Sequence, residues 1–217
     1  MTLRLVELLL LFVIGPAAFA RARHRIPAIP ALWAAAAYCL AVLFHDPQFN
    51  RAHLWDPAVL SRYAAAILEL FAVVTLIGIA LVFRYSRQTF LSFPKSNPLL
   101  WSAIMVLYPV LSVYPQGLIY RAFFFERYRP LFGPSWLLVL ASAAAFAWLH
   151  IVFRNPLAVA LTFPAGLLFA LRYLETGSLF VSSFEHALYG CAIFTVGLGR
   201  WFYQGTIPRV ALPGTSR

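Results

Sequence analysis

Among the ionisable side chains inside long apolar runs of this sequence, six are candidates for chemistry: Glu7, Glu69, Arg121, His150, Glu185 and His186. In hydrocarbon such a group costs about 2.5–3.5 kcal/mol on insertion scales, so each asks for a chemical or structural reason. Glu7 lies near the N-terminus and can reach the membrane interface. Glu69 falls midway along its run, where a hydrogen bond to a neighbouring helix would satisfy it. The other four crowd into the second half of the chain. Arg121 closes Tyr114-Pro-Gln-Gly-Leu-Ile-Tyr-Arg121, and His150 follows Phe146 by four residues, on one helical face. His186 follows Glu185 within Ser182-Ser-Phe-Glu-His-Ala-Leu-Tyr189. A single intramembrane histidine is more often a hydrogen-bonded structural group than a catalyst. Two of them beside an arginine point to a buried polar site.

The elements that would carry these residues follow from composition. The 217 residues are 62% hydrophobic and 11% charged, with a mean hydropathy of +0.80. Soluble domains average roughly 45–50% apolar and about 25% charged, so a soluble domain is excluded. Disordered, disulfide-rich and fibrous classes are excluded as well. What remains is an all-α polytopic helical bundle. A span needs about 20 mostly apolar residues, and seven candidates read off at 3–20, 28–44, 58–83, 98–127, 135–151, 156–173 and 178–199. Helix-ending Pro, Gly and Asn punctuate the connections, as in His45-Asp-Pro47, Phe93-Pro-Lys-Ser-Asn-Pro98, Arg154-Asn-Pro156 and Glu175-Thr-Gly177.

The net charge of +10 does not indicate nucleic acid, because the basic residues gather between the apolar runs and read as topology signals. Ten Lys and Arg fall on one side of the layout and seven on the other, which favours an outside N-terminus. Ala18-Phe19-Ala20 resembles a signal-peptide cleavage site, but Glu7 interrupts the run before it and three arginines follow it. Cys39 and Cys191 lie in apolar runs without metal-ligand spacing and read as small hydrophobes. Only one of the 17 basic residues other than histidine is Lys, and Ala and Leu abound. That bias points to a GC-rich bacterial genome and hence to the bacterial plasma membrane.

Helical rise places the polar residues at comparable depths. Measured from the turn near 130–134, Gly117 lies about 20 Å in and His150 about 24 Å in, while His186 is about 14 Å from the turn near 174–177 on the same side. Three antiparallel segments therefore put the 116–121 stretch, His150 and His186 in one layer about 10 Å deep.

Over about residues 98–200 the sequence resembles the CAAX-protease and bacteriocin-processing (CPBP, or Abi) family of intramembrane endopeptidases. That family shows EExxxR, FxxxH and HxxxN or HxxxD motifs on separate helices in that order. The matching stretches are Gln116-Gly-Leu-Ile-Tyr-Arg121, Phe146-Ala-Trp-Leu-His150 and His186-Ala-Leu-Tyr-Gly190. The flanks Tyr120-Arg-Ala-Phe-Phe-Phe125 and Gly166-Leu-Leu-Phe-Ala170 are similar too. Gln116 and Gly117 replace the two motif glutamates, and Gly190 replaces the final Asn or Asp.

The resemblance implies hydrolysis of a peptide bond by water held within the bilayer, on hydrophobic or prenylated peptide substrates. It implies a glutamate base, with the histidines binding a metal such as zinc or stabilising the oxyanion. Gln116 can position water but cannot take its proton, and Gly117 can do neither. Glu185 is then the nearest alternative base, or an ion-pair partner for Arg121. Candidate catalytic residues are His150, His186, Arg121, Gln116 and Glu185, with His150 and His186 as metal ligands. Two histidines fall short of the three protein ligands usual for catalytic zinc.

Gly117 also has a packing reading, since small residues let membrane helices approach closely. Three functions remain open: an endopeptidase, a catalytically inactive membrane-binding or immunity-type protein using the same cavity, and a small transporter. The transporter lacks a visible inverted repeat. The expected organisation is three N-terminal spans over 1–97, a CPBP-type core over 98–200 and a polar tail over 201–217.

Overall fold

The computed structural model describes residues 1–133 and 136–199, so the expected tail at 201–217 lies outside the described residues. Among the described residues every regular element is helical and no strand occurs. Seven helices are long and apolar enough to cross a membrane: α1 (Thr2–Ala22), α2 (Ala28–His45), α3 (Pro57–Tyr85), α4 (Pro98–Phe132), α5 (Trp136–Phe153), α6 (Pro156–Thr176) and α7 (Leu179–Val196).

Their ends follow from local chemistry. Asn97 accepts the Leu100 N–H at 3.1 Å ahead of Pro98, and Asn155 accepts the Leu157 N–H at 3.0 Å ahead of Pro156. Each pairs a capping side chain with a proline whose missing N–H costs nothing in the first turn. Gly177 ends α6 at φ +63°, in the left-handed region where only glycine avoids a Cβ penalty.

The ends lie within five residues of the expected ones, and two of the differences have a clear local cause. α4 runs on past 127 to Phe132, because Glu7 neutralises Arg127 at 2.7 Å and Pro130 falls only in the final turn. α7 stops at Val196 rather than 199, because Gly197 turns to φ +100° with the Thr89 backbone where a Cβ would stand.

α4 is the centre of the bundle: α1, α2, α5, α6 and α7 all pack on it, and α1 also packs on α5. α5 and α6 form a tight antiparallel hairpin, and α7 packs on α6, α4 and α3. Phe12 of α1 meets Tyr120, Phe124 and Tyr128 of α4 edge-on at 5.0–5.7 Å. The outer surface is apolar, with Leu76 64% and Val106 70% exposed. Contiguous apolar surface of that kind is stable where lipid is the solvent.

α3 buries only Ile67 and Val82 among its α-helical residues. Glu69 is exposed on it and makes no hydrogen bond or ion pair with any described residue, so the expected tie to a neighbouring helix is not made. Two residues are about 200° apart on a helix, so packing through Ile67 turns Glu69 outward.

Prolines shape α4. Pro115 has no N–H to offer the Leu111 carbonyl four residues earlier, and the Trp33 indole of α2 donates to that carbonyl at 3.1 Å. The helix adopts π-helical turns over Pro109–Val113 and again over Leu118–Phe123.

Candidate active site

The second π-helical turn of α4 carries Arg121, and all six of its residues are buried. Single π turns within helices recur at functional sites. Ser142 of α5 donates to the Tyr120 carbonyl at 2.5 Å and ties the two helices together there. Arg121 is 1% exposed. Its guanidinium carbon lies 4.4 Å from the Phe146 ring centroid and 5.3 Å from that of Phe169. Its Nε and Nη2 have no hydrogen-bond partner among the described residues.

His150 opens the 3-10 turn that ends α5, and its Nδ1 lies 2.8 Å from the Phe146 carbonyl. A carbonyl only accepts, so Nδ1 carries the proton and the Nε2 lone pair is left to act. The His150 ring stands 4.8 Å from the Phe146 ring. His186 of α7 stacks on Phe169 at 4.5 Å and meets Phe146 edge-on at 5.4 Å. Its Nδ1 is buried without a partner among the described residues. Arg121, His150 and His186, from three helices, thus all lie against the one ring of Phe146.

The remaining site candidates are placed differently. Gln116 is buried and donates through Nε2 to Ser112 Oγ at 2.7 Å, within its own helix. Gly117 is a close-approach residue: an added Cβ would stand 2.8 Å from both Leu179 Cδ1 and Ser183 Oγ of α7. Glu185 does not pair with Arg121. It is fully buried and accepts from Arg172 Nε at 2.8 Å and from Nη2 at 3.4 Å. Arg172 also holds Glu175 at 2.9 Å.

Two residues absent from the sequence reading bear on the site. Arg172 takes Glu185 from it, thirteen positions away on α6. Tyr108 packs its ring into the space a side chain at position 190 would need, and its ring centroid lies 6.5 Å from that of His186. The signal for Tyr108 was Gly190 itself, since a glycine facing another helix admits a bulky neighbour. A cavity of about 350 Å³ opens beside Glu7, Tyr38 and Arg127 and another of about 480 Å³ beside Tyr38, Asp46 and Arg127, and neither shares a residue with the Phe146 cluster.

Among the described residues no three His, Cys, Asp or Glu come together as a metal-binding group. Two imidazoles without a third ligand do not fit a catalytic zinc, so no step below runs through a metal.

Residues 96–192, a little under half the chain, match the family model described as type II CAAX prenyl endopeptidase Rce1-like. The match agrees with the resemblance to the CPBP family seen over about residues 98–200. Searches of curated proteins and of solved structures found no match. The matched segment spans α4 to α7 apart from the last turn of α7, and so includes Arg121, His150 and His186. The seven apolar helices, with this family match, make the protein an integral membrane chain.

Proposed function

We propose that this chain is an intramembrane endopeptidase in which His150 serves as the base that the missing glutamates would otherwise supply. The observation that carries the proposal is the fixed tautomer of His150. Its Nδ1–H is spent on the Phe146 carbonyl at 2.8 Å, so its Nε2 lone pair is available for the proton of an attacking water. His186, on another flank of Phe146, offers an N–H group to the oxyanion that develops on a peptide carbonyl. Gln116 stands on the same helix as a polar group for substrate or water. Burial among Phe146 and Phe169 strengthens each of these interactions by excluding solvent. The substrate class is a hydrophobic or lipid-modified peptide reaching the site from the bilayer of a bacterial plasma membrane.

Glu185 is not the base in this reading, because its carboxylate is committed to Arg172. The absence, among the described residues, of a carboxylate ion-paired with Arg121 favours one second reading, a non-catalytic peptide-binding protein built on the same site.

Cleavage of a membrane-peptide library by the reconstituted protein, read by mass spectrometry, decides between them. The wild type is expected to cleave, and His150→Ala to lose about 10²–10⁴-fold in rate, the range typical of a general base. Cleavage retained by His150→Ala would remove the proposed base, and peptide capture that survives His150→Ala without any cleavage would favour the second reading.

A further inference from the structure

Among the described residues Arg121 is a cation without an anion. Of the seven acidic residues, Glu7 pairs with Arg127, Glu175 and Glu185 pair with Arg172, and none forms an ion pair with Arg121. Yet Arg121 is 1% exposed and arginine keeps its proton, so its charge calls for a counter-charge that no described residue supplies. The two unpartnered nitrogens, Nε and Nη2, are the adjoining pair on one edge of the guanidinium. That edge presents two parallel N–H bonds, the fork that matches the two oxygens of a carboxylate. The walls around it are the aromatic faces of Phe146 and Phe169, and His186 Nδ1 stands beside them without a partner. A single cation between apolar walls balances one negative charge, not two, and accepts an apolar chain behind it.

We propose that Arg121 is the receptor for a carboxylate borne on an apolar chain, bound in the Phe146–Phe169 cluster through Nε and Nη2. This rests on the reading of that cluster as the substrate site. The carboxylate is the counter-charge that Gln116 and Gly117 no longer provide. The chemistry is shared by a free fatty acid and by the C-terminal carboxylate of a hydrophobic peptide.

The test is equilibrium binding to the full chain in phosphatidylcholine nanodiscs. The probes are dodecanoic acid with dodecanamide, and an N-acylated apolar tripeptide as its free acid and as its amide. Wild type is expected to bind the acid of at least one pair tenfold or more tighter than the amide. The pair that shows the preference identifies the source, lipid or peptide. Arg121→Gln is expected to erase the preference while keeping the thermal unfolding midpoint, since it removes an unpaired buried charge. Gln116→Glu, of the same shape, is expected to weaken acid binding and spare the amide by adding a carboxylate on the same helix.

Equal binding of acids and amides by wild type overturns the proposal, as does a preference that survives Arg121→Gln. Cleavage of a peptide library by a protein with no acid preference leaves the hydrolase reading standing and removes this one. An acid preference in a protein that cleaves nothing does the reverse.

Discussion

The most informative side chain outside the Phe146 cluster is Glu185, because what binds it decides what it can do. Its salt bridge to Arg172 is buried on both sides, with side chains 0% and 10% exposed. Glu185→Gln is expected to lower stability by about 1.5–3 kcal/mol, the range for hydrogen bonds to charged groups, because Arg172 keeps Glu175 as a partner. Thermal unfolding in detergent measures the loss, and the cleavage rate per folded molecule should change less than tenfold. At position 190 the expected outcome is coupled. Gly190→Asn alone clashes with the Tyr108 ring, Tyr108→Ala alone leaves a void, and the double variant should be more stable than the sum of the two losses. A double-mutant cycle on unfolding midpoints reads that coupling. Legibility at this scale was uneven. Arg121, His150 and His186 could be singled out because an ionisable group in an apolar run is conspicuous. The partners of Glu185 could not, because Arg172 is on a different helix and nothing in their spacing links them.

Helix ends were the most readable elements, because they are written in local chemistry. Asn97-Pro98, Asn155-Pro156 and Gly177 each fix an end through a cap, a proline or a left-handed residue, and each falls where a turn was expected. Helix interiors were harder. The π turn at Leu118–Phe123 is not preceded by a residue type that announces it, and the turn at Pro109–Val113 depends on what α2 supplies to the Leu111 carbonyl. Trp33→Phe removes that donor while keeping an aromatic ring, so a loss of about 0.5–1.5 kcal/mol is expected from the single hydrogen bond. Gly117 belongs to the same scale. Its contact with Leu179 and Ser183 makes it part of the α4–α7 seam, and Gly117→Ala is expected to cost about 1–3 kcal/mol by overpacking. Unfolding midpoints in one detergent compare the two.

At the scale of the whole molecule, the bundle divides its labour between a packed half and a lipid-facing half. Helices α4 to α7 hold the Phe146 cluster, while α3 exposes almost everything it carries, Glu69 included. The N-terminal helices are tied to the core at specific points: Glu7 to Arg127, Trp33 to Leu111, Tyr63 to the Glu175 carbonyl and Ser178 to the Asp56 carbonyl. Composition made the membrane class legible, but it could not reveal these ties, which join residues 78 to 122 positions apart. The charge bias of ten basic residues against seven sets the expected orientation. A cysteine introduced at Arg87 should be labelled by an impermeant maleimide only from the cytoplasmic side, and one at Arg51 only from the other.

The central claim is that water, activated at His150, cuts a peptide bond inside the bilayer. It is tested most directly by running the reconstituted protein in ¹⁸O-water and weighing the peptide products. Wild type should place one ¹⁸O in each new C-terminal carboxylate, and His150→Ala should leave the peptides intact. Unlabelled intact peptides from wild type, or equal labelling by His150→Ala, would contradict it.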